Sequence, residues 1–323
     1  MESWWRGILD SLVMGMVIPG LMLCVGIKWN DANPNPDMLL QPTEETVEEA
    51  APQTMRLLSP DGNPEEMDME TYVTSVLLGE VPGSFEMEAL KAQAVVARTV
   101  ACRAMSTGGK HGNGAVCTES SCCQAFLTAE EYLRKGGAEE TVEKMTAAAR
   151  QTAGQILTYE GLPIEATYFS CSGGRTEDAV AVWGTDLPYL RSVESPGEED
   201  AAHYRDEQCF SGTVFLDKLG LQLTGDPAGW IGKTSYTAGG GVDTMQIGGV
   251  SFRGKDLRSR LGLRSTAFSI DVRNGEIVIT TKGFGHRVGM SQYGAEAMAL
   301  EGNHYQQILE HYYSGTILSQ WEG

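Results

Sequence analysis

Positive charge is scarce in this 323-residue chain: 24 Lys and Arg stand against 43 Asp and Glu, a formal net charge of −19. A phosphate backbone is held through a basic patch, so nucleic acid is excluded as a partner, and electrostatic docking on anionic lipid is equally unsuited. The chain also has no Gly-x-Ser-x-Gly, which removes the nucleophile elbow of serine hydrolases. No internal repeat of fixed period is present, so a solenoid or propeller is not in view. Proline is sparse and uneven: six of the 12 fall between Asp31 and Glu70. Long apolar runs are limited to one, Gly7 to Ile27, with Asp10 as its single charge and Lys28 directly after it.

About 20 apolar residues can cross a bilayer core as a helix. The flanks lack the basic start and small-x-small cleavage site of a signal peptide, and Trp4 and Trp5 read as interfacial anchors, so residues 1–30 are expected to be an uncleaved membrane anchor. The proline-rich stretch that follows holds eleven acids against Arg56 alone and has no sustained periodicity, which reads as a tether. The expected organisation is an anchor at 1–30, an acidic linker at 31–66 and a catalytic domain at 67–323. That last part is long enough for one large or two small cores.

The globular part starts with helical spacing at Tyr72, Val73, Val76 and Leu77. Pro82 and Gly83 then interrupt, Ser84 is a preferred N-cap, and an alanine-rich run from Phe85 favours a second helix. Leu90, Ala94, Ala97 and Ala101 share one face whose small side chains permit close approach. Thr128 to Leu157 reads as further helix. Short strands follow at 156–159, 166–170, 268–272 and 276–280, the last two joined by Asn274-Gly275. Helices first and strands later predict an α+β fold, with a helical part, a β-rich part and a groove between them.

Four stretches carry the chemistry. The first is Gly79-Glu80-Val81-Pro82-Gly83-Ser84-Phe85-Glu86-Met87-Glu88, whose three carboxylates could simply complement the dipole of the second helix. The second is the Gly/Ser/Cys-rich loop from Lys110 to Phe126, with His111, Cys117 and Cys123 spaced by six and Cys122 as a further thiol. One imidazole and three thiols suit a tetrahedral zinc site; a disulfide or free thiols fit the same residues. The third is Tyr168-Phe169-Ser170-Cys171-Ser172-Gly173-Gly174-Arg175-Thr176, where a strand ends in backbone N–H groups and hydroxyls, or in an ordinary Gly-Gly turn. The fourth, Gly283 to Ala295, spaces His286, Ser291, Gln292 and Tyr293 among four glycines before a helix from Gln292 to Leu300. It lacks the Gly-Lys-Ser/Thr end of a phosphate loop.

The string from Gly79 to Arg103 closely resembles the signature of the stage II sporulation protein D family, cell-wall lytic transglycosylases of spore-forming bacteria. The third and fourth stretches match the same family, so the resemblance spans roughly residues 55–320. It implies a membrane-anchored enzyme that cuts peptidoglycan glycan strands stripped of stem peptides, in the space between mother-cell and forespore membranes. Stage II sporulation proteins P and M are its implied partners. It implies zinc, structural in role, on His111, Cys117 and Cys123, with Cys122 or water completing the set. The third and fourth stretches are implied to line the substrate groove through Tyr168, Ser170, Ser172, Gly173, Gly174, Thr176, His286, Ser291, Gln292 and Tyr293, with Trp183 as a stacking face. Such a reaction needs one glutamate as acid and then base. Glu88 is the first choice, because partial burial beside Phe85 and Met87 would raise its pKa; Glu80 is the second, and Glu86 is left to solvent. The rival reading is a non-catalytic glycan-binding or assembly protein.

Overall fold

A computed structural model describes the chain at residues 53–59 and 61–322. The expected anchor and most of the expected linker lie outside the described residues. Among the described residues no helix is long and apolar enough to cross a membrane. The folded part starts earlier than expected: β1 (Thr54–Leu58) and β2 (Pro64–Asp68) pair antiparallel, with Thr54 opposite Asp68. Met55 is the fully buried side chain of this hairpin, too little apolar content to stand out among the surrounding acids and prolines.

Asp68 then caps α1 (Met69–Glu80) by accepting the Thr71 N–H at 2.8 Å, as an N-cap carboxylate should. After the Pro82-Gly83 turn comes α2 (Met87–Thr107), 21 residues and therefore about 31 Å long. Leu90, Ala94, Ala97 and Ala101 are all buried, and so are Val95 and Val96 on its other side. It is the central element of the fold. The expected cap at Ser84 does not form. Glu86 stands at the N-cap with no side-chain bond of its own, and its N–H is taken at 2.6 Å by the carboxylate of Glu296. Tertiary contact has replaced the local cap.

The long helix expected over 128–157 is split. Gly136, at φ +92°, breaks it into α3 (Ala129–Arg134) and α4 (Glu139–Gln151), and the remainder becomes β3 (Gln155–Tyr159). β4 (Leu162–Pro163) pairs along β3, and β5 (Tyr168–Phe169) and α5 (Ala179–Trp183) follow.

Residues 205–282 form a module with a core of its own. It contains β6 (Arg205–Phe210), α6 (Gly212–Leu219), β7 (Ile231–Tyr236), β8 (Val242–Ile247), β9 (Val250–Arg253), α7 (Gly254–Leu261), β10 (Phe268–Arg273) and β11 (Glu276–Lys282). Two antiparallel three-stranded sheets, in the orders β10-β11-β6 and β7-β8-β9, enclose Phe215, Ile247, Leu257 and Ile277. The expected hairpin at Asn274-Gly275 is present, both residues at positive φ (52° and 81°) as the tight turn demands. The chain returns through β12 (Met290–Ser291), α8 (Gln292–Leu300), α9 (Tyr305–Tyr312) and β13 (Ile317–Gln320), the last pairing with β3. Helices and sheets are both present, in agreement with α+β.

A buried ion pair just outside the module holds the module's β7–β8 loop against the rest. Arg287, 2% exposed, reaches Glu177, 1% exposed, at 3.2 Å, and also donates to the carbonyls of Ser172, Arg175 and Gly239. Glu177 in turn accepts from Thr237 Oγ1 and the Gly241 N–H in the β7–β8 loop. Burying a guanidinium and a carboxylate is costly unless they are paired and bonded; here every bond to the carboxylate falls on Glu177 Oε1, and its buried Oε2 has no hydrogen-bond partner among the described residues.

Candidate active site

Glu80 is where the separate stretches of sequence meet. It closes α1, and its Oε1 accepts the Ala125 N–H at 2.7 Å and the Tyr168 hydroxyl at 2.8 Å. Among the described residues no donor bonds its Oε2. Gly79 makes the approach possible: a Cβ there would stand 2.9 Å from the Phe126 nitrogen. Tyr168 lies also 3.1 Å from Gln124 Oε1, and the buried Gln124 amide is fixed the right way round because its Nε2 donates to the Ala97 carbonyl, an acceptor only, at 3.3 Å as well as to Tyr72 at 2.6 Å. Burial first, and the Glu80 charge second, push the Tyr168 phenol well above its ordinary pKa. It therefore remains a protonated donor to the carboxylate.

Next to Gln124 in the chain is the Cys/His loop. His111, Cys117, Cys122 and Cys123 bring their ligand atoms within 4.8 Å of one another, and no disulfide joins them. His111 Nε2 is 3.5 Å from Cys123 Sγ and 3.7 Å from Cys122 Sγ, and the two sulfurs are 3.9 Å apart. A tetrahedral ion with bonds of about 2.3 Å to sulfur and 2.0–2.1 Å to nitrogen has S···S edges of roughly 3.8 Å and N···S edges of roughly 3.6 Å. The donor set fits a metal ion. Its consequence for the site is direct, because Cys123 is two residues from the N–H that holds Glu80.

Glu88 has different neighbours. In the first turn of α2 its Oε1 meets Lys91 Nζ at 2.7 Å, and its Oε2 accepts the Tyr305 N–H at the start of α9 at 2.9 Å. Partial burial pushes its carboxyl up, but the Lys91 ammonium, the Tyr305 N–H and nearby His304 outweigh that and hold it below the ordinary value. The rise expected from its apolar neighbours does not occur, since both oxygens have found donors. Glu86 is exposed, as expected. The turn between the two glutamates is clamped by Lys144 of α4 on the carbonyls of Gly83 (3.3 Å) and Phe85 (2.5 Å).

The third and fourth stretches do lie side by side, β5 pairing in parallel with β12 and Tyr168 opposite Met290. Their donors, however, point largely inward. The Ser172 N–H and hydroxyl and the Gly173 N–H all end on Glu198 Oε2, at 2.8, 2.8 and 2.9 Å, and Cys171 and Ser195 donate to the same buried carboxylate. Gly174 donates to Ser172 Oγ, Thr176 bonds Val193, and Ser291 caps α8; Thr176 and Ser291 are fully buried. The glycines are there because two backbones touch: a Cβ on Gly173 would stand 2.8 Å from the Gly283 nitrogen. Glu198 escaped the sequence reading, having no motif around it, whereas Glu177 directly follows the third stretch and Arg287 lies inside the fourth, yet neither was assigned a role.

What remains available is Ser170, whose hydroxyl bonds none of the described residues, Tyr293, edge-on to Phe85 at 5.2 Å, and the buried but unbonded Gln292 Nε2. His286 is sandwiched between Phe169 and the 43% exposed Trp183, with ring centroids 5.6 and 5.3 Å away. Its Nδ1 accepts the Val288 N–H at 3.1 Å. Burial, helped by the charge of Arg258, lowers its pKa to about 4, so it is a neutral ring.

Residues 62–159 match the family model for the stage II sporulation protein, a span that contains both glutamates and the Cys/His loop. The chain is 42% identical to stage II sporulation protein D of Bacillus amyloliquefaciens over 261 residues, which is 79% of this chain and 75% of that protein. To the protein of the same name from Bacillus subtilis it is 41% identical, with 79% and 76% covered. It is also similar to the amidase enhancer of Bacillus subtilis, 28% identical over 76% of this chain and 40% of that one.

Proposed function

The chain belongs to the stage II sporulation protein D family, and from that premise we propose that it is a lytic transglycosylase that cuts peptidoglycan glycan strands during sporulation, with Glu80 as its acid and base. The observation that carries this is the convergence on Glu80 of Tyr168 and Ala125, one from each neighbouring motif. The reaction needs a single carboxyl. In its protonated form Glu80 gives its proton through Oε2 to the glycosidic oxygen as that bond to the muramic anomeric carbon breaks. The substrate's own 6-hydroxyl oxygen then bonds the same carbon and returns its proton to Glu80, leaving a 1,6-anhydro end. Tyr168 and the Ala125 N–H hold Oε1 throughout, so the free oxygen keeps one orientation. Glu88, the first choice from sequence, becomes the brace that ties α2 to α9. Ser170, Gln292, Tyr293 and the Trp183–His286 pair are the side chains left to meet sugar.

Zinc is the ion proposed for His111, Cys117, Cys122 and Cys123. With four protein ligands it supplies structure: it closes a loop that has Ala115 and Val116 as almost its whole apolar content and could not hold itself by burial. The anchor at residues 1–30, the space between the two sporulation membranes as location, and stage II sporulation proteins P and M as partners complete the reading. A second reading, a protein that binds the strand while others cut it, is favoured by the name of one relative, the amidase enhancer. Mass spectrometry of purified strands incubated with the full-length protein separates the two: anhydro ends are expected, and tight strand binding with no new ends would overturn the enzymatic reading.

A further inference from the structure

The Cys/His loop holds more thiol than a metal site needs. An imidazole, two thiolates and a water already complete a tetrahedral ion, yet three thiols gather here, and among the described residues no cysteine is bonded to another. Cys102 and Cys171 are buried away from any oxidant, whereas Cys117, Cys122 and Cys123 are partly open to solvent and keep their sulfurs within 4.8 Å of one another. A disulfide is one small movement away.

Geometry selects the pair. Cys122 and Cys123 are adjacent, and Cα atoms joined by a trans peptide stand about 3.8 Å apart, short of the roughly 4.4–6.8 Å that a disulfide spans. Cys123 packs against the main core and precedes Gln124, whose buried amide is bonded to Tyr72 and Ala97. Cys122 does not join that packing, which leaves Cys117 and Cys122 as the two free to close. The loop is anchored on either side of them. Val116 exchanges backbone bonds with β1, its N–H to the Arg56 carbonyl at 3.0 Å and its carbonyl from the Leu58 N–H at 2.8 Å. Beyond Cys123 comes the Ala125 N–H that holds Glu80. In between, the Cys122 and Cys123 N–H groups both turn back on the Glu119 carbonyl inside the loop, so the Cys/His cluster is what ties the two sides. A Cys117–Cys122 bond removes two of its four ligands and draws Cys122, three residues before Ala125, out of place.

We propose that Cys117 and Cys122 form a thiol–disulfide exchange site, whose oxidation empties the cluster and loosens the hold on Glu80. The proposal rests on the readings of the cluster as a zinc site and of Glu80 as the acid. Its co-substrate is a disulfide-bearing oxidant, a class that belongs outside the cytoplasm. The Cys122 thiolate attacks one sulfur of R–S–S–R, forming a mixed disulfide and expelling one thiolate; the Cys117 thiolate then attacks the Cys122 sulfur, forming the internal bond and expelling the second. Two cysteine thiolates are oxidised, one external disulfide is reduced to two thiolates, and zinc leaves as the dication. A dithiol with zinc runs the sequence backwards.

Full-length protein, purified with a thiol reductant and loaded with zinc, is equilibrated in glutathione buffers of increasing disulfide content. Zinc liberated to a coloured chelator, cysteine pairing by mass mapping, deuterium uptake by the 118–127 backbone and anhydro ends are followed together. Zinc should appear in step with the Cys117–Cys122 bond, uptake around Ala125 should rise, and cleavage should fall about tenfold, the worth of one hydrogen bond to a charged group; dithiothreitol with zinc should restore all of them. In Cys122→Ser, half-release of its own zinc should need a buffer about tenfold richer in disulfide. Zinc retained in every buffer, zinc lost without a Cys117–Cys122 bond, or a bond that leaves uptake around Ala125 unchanged overturns the proposal. A protein that makes no anhydro ends but releases zinc and loses protection at Ala125 sinks the enzymatic reading alone; one that cuts equally well in both states sinks the switch alone.

Discussion

Replacing Glu80 in two ways separates its chemistry from its structural work. Glu80→Gln leaves an oxygen where Oε1 now accepts from Ala125 and Tyr168, so both donors stay satisfied and the melting temperature should move by no more than about 2 °C. The proton for the leaving oxygen is gone, and cleavage should drop by roughly two to four orders of magnitude, the size of a general-acid contribution. Glu80→Ala removes the acceptor as well. Tyr168 still has Gln124 Oε1 at 3.1 Å, but the Ala125 N–H is stranded, and one unsatisfied buried donor costs about 1–3 kcal/mol. In a domain of this size that lowers the melting temperature by about 2–12 °C. Glu88→Gln is the control: it loses a partly exposed bridge to Lys91, keeps an acceptor for Tyr305, and should cleave within a few-fold of the unsubstituted protein. Counting anhydro ends per strand by mass spectrometry, with melting curves alongside, decides it. If Glu88→Gln is inactive and Glu80→Gln is not, the acid lies on the other side of the Pro82-Gly83 turn and the reasoning here is wrong.

Chelation, or Cys117→Ser with Cys123→Ser, should lower the melting temperature and speed proteolysis within 106–126; a purified protein that carries no metal and has a Cys117–Cys123 disulfide by mass mapping refutes the metal site. Arg287→Met strands Glu177 in the interior and should cost about 3–5 kcal/mol by denaturant titration, whereas adding Glu177→Gln should return part of it; no cost for the single change would mean that the pair does not hold the module's β7–β8 loop against the rest. His286 is buried neutral, its pKa lowered from the ordinary imidazole value of 6.5 to about 4, so the unfolded chain binds its proton first. Stability should therefore fall as pH drops from about 6.5 towards 4, and His286→Gln should flatten that part of the melting-temperature profile; an unchanged slope counts against its burial. Glu88 has the same sign at lower pH: partial burial pushes its carboxyl up, but Lys91 and the Tyr305 N–H hold it below its ordinary value, so its contribution is complete above the ordinary carboxylate range and lost as pH falls through it, and Glu88→Gln should melt like the unsubstituted protein only at the acid end.

Local chemistry was legible in the sequence wherever neighbours in the chain decide the outcome. The α1–α2 hairpin across Pro82-Gly83, the Asn274-Gly275 turn and the start of α8 at Gln292 follow from caps, breakers and turn residues, which act over a few positions. The Cys/His cluster was legible for a similar reason, since one thirteen-residue loop holds all four side chains and needs little beyond its own glycines to close. Family resemblance was legible because it resides in contiguous strings.

Everything that depended on which donor meets which acceptor across the fold was not. Glu80 and Glu88 differ little in sequence, each an acid beside apolar residues. One ends against Tyr168 and Ala125, 88 and 45 positions away, the other against Lys91 and the Tyr305 N–H. The Ser-Gly-Gly donors look free along the chain and are consumed by Glu198, some 26 residues on. Glu177 and Arg287 carry no local mark of the buried pair they make 110 positions apart. The physical reason is the same throughout. Propensity and turn chemistry are properties of a few adjacent residues, whereas desolvation and charge pairing depend on what the rest of the chain brings within 3 Å, and a carboxylate's role is set by those neighbours.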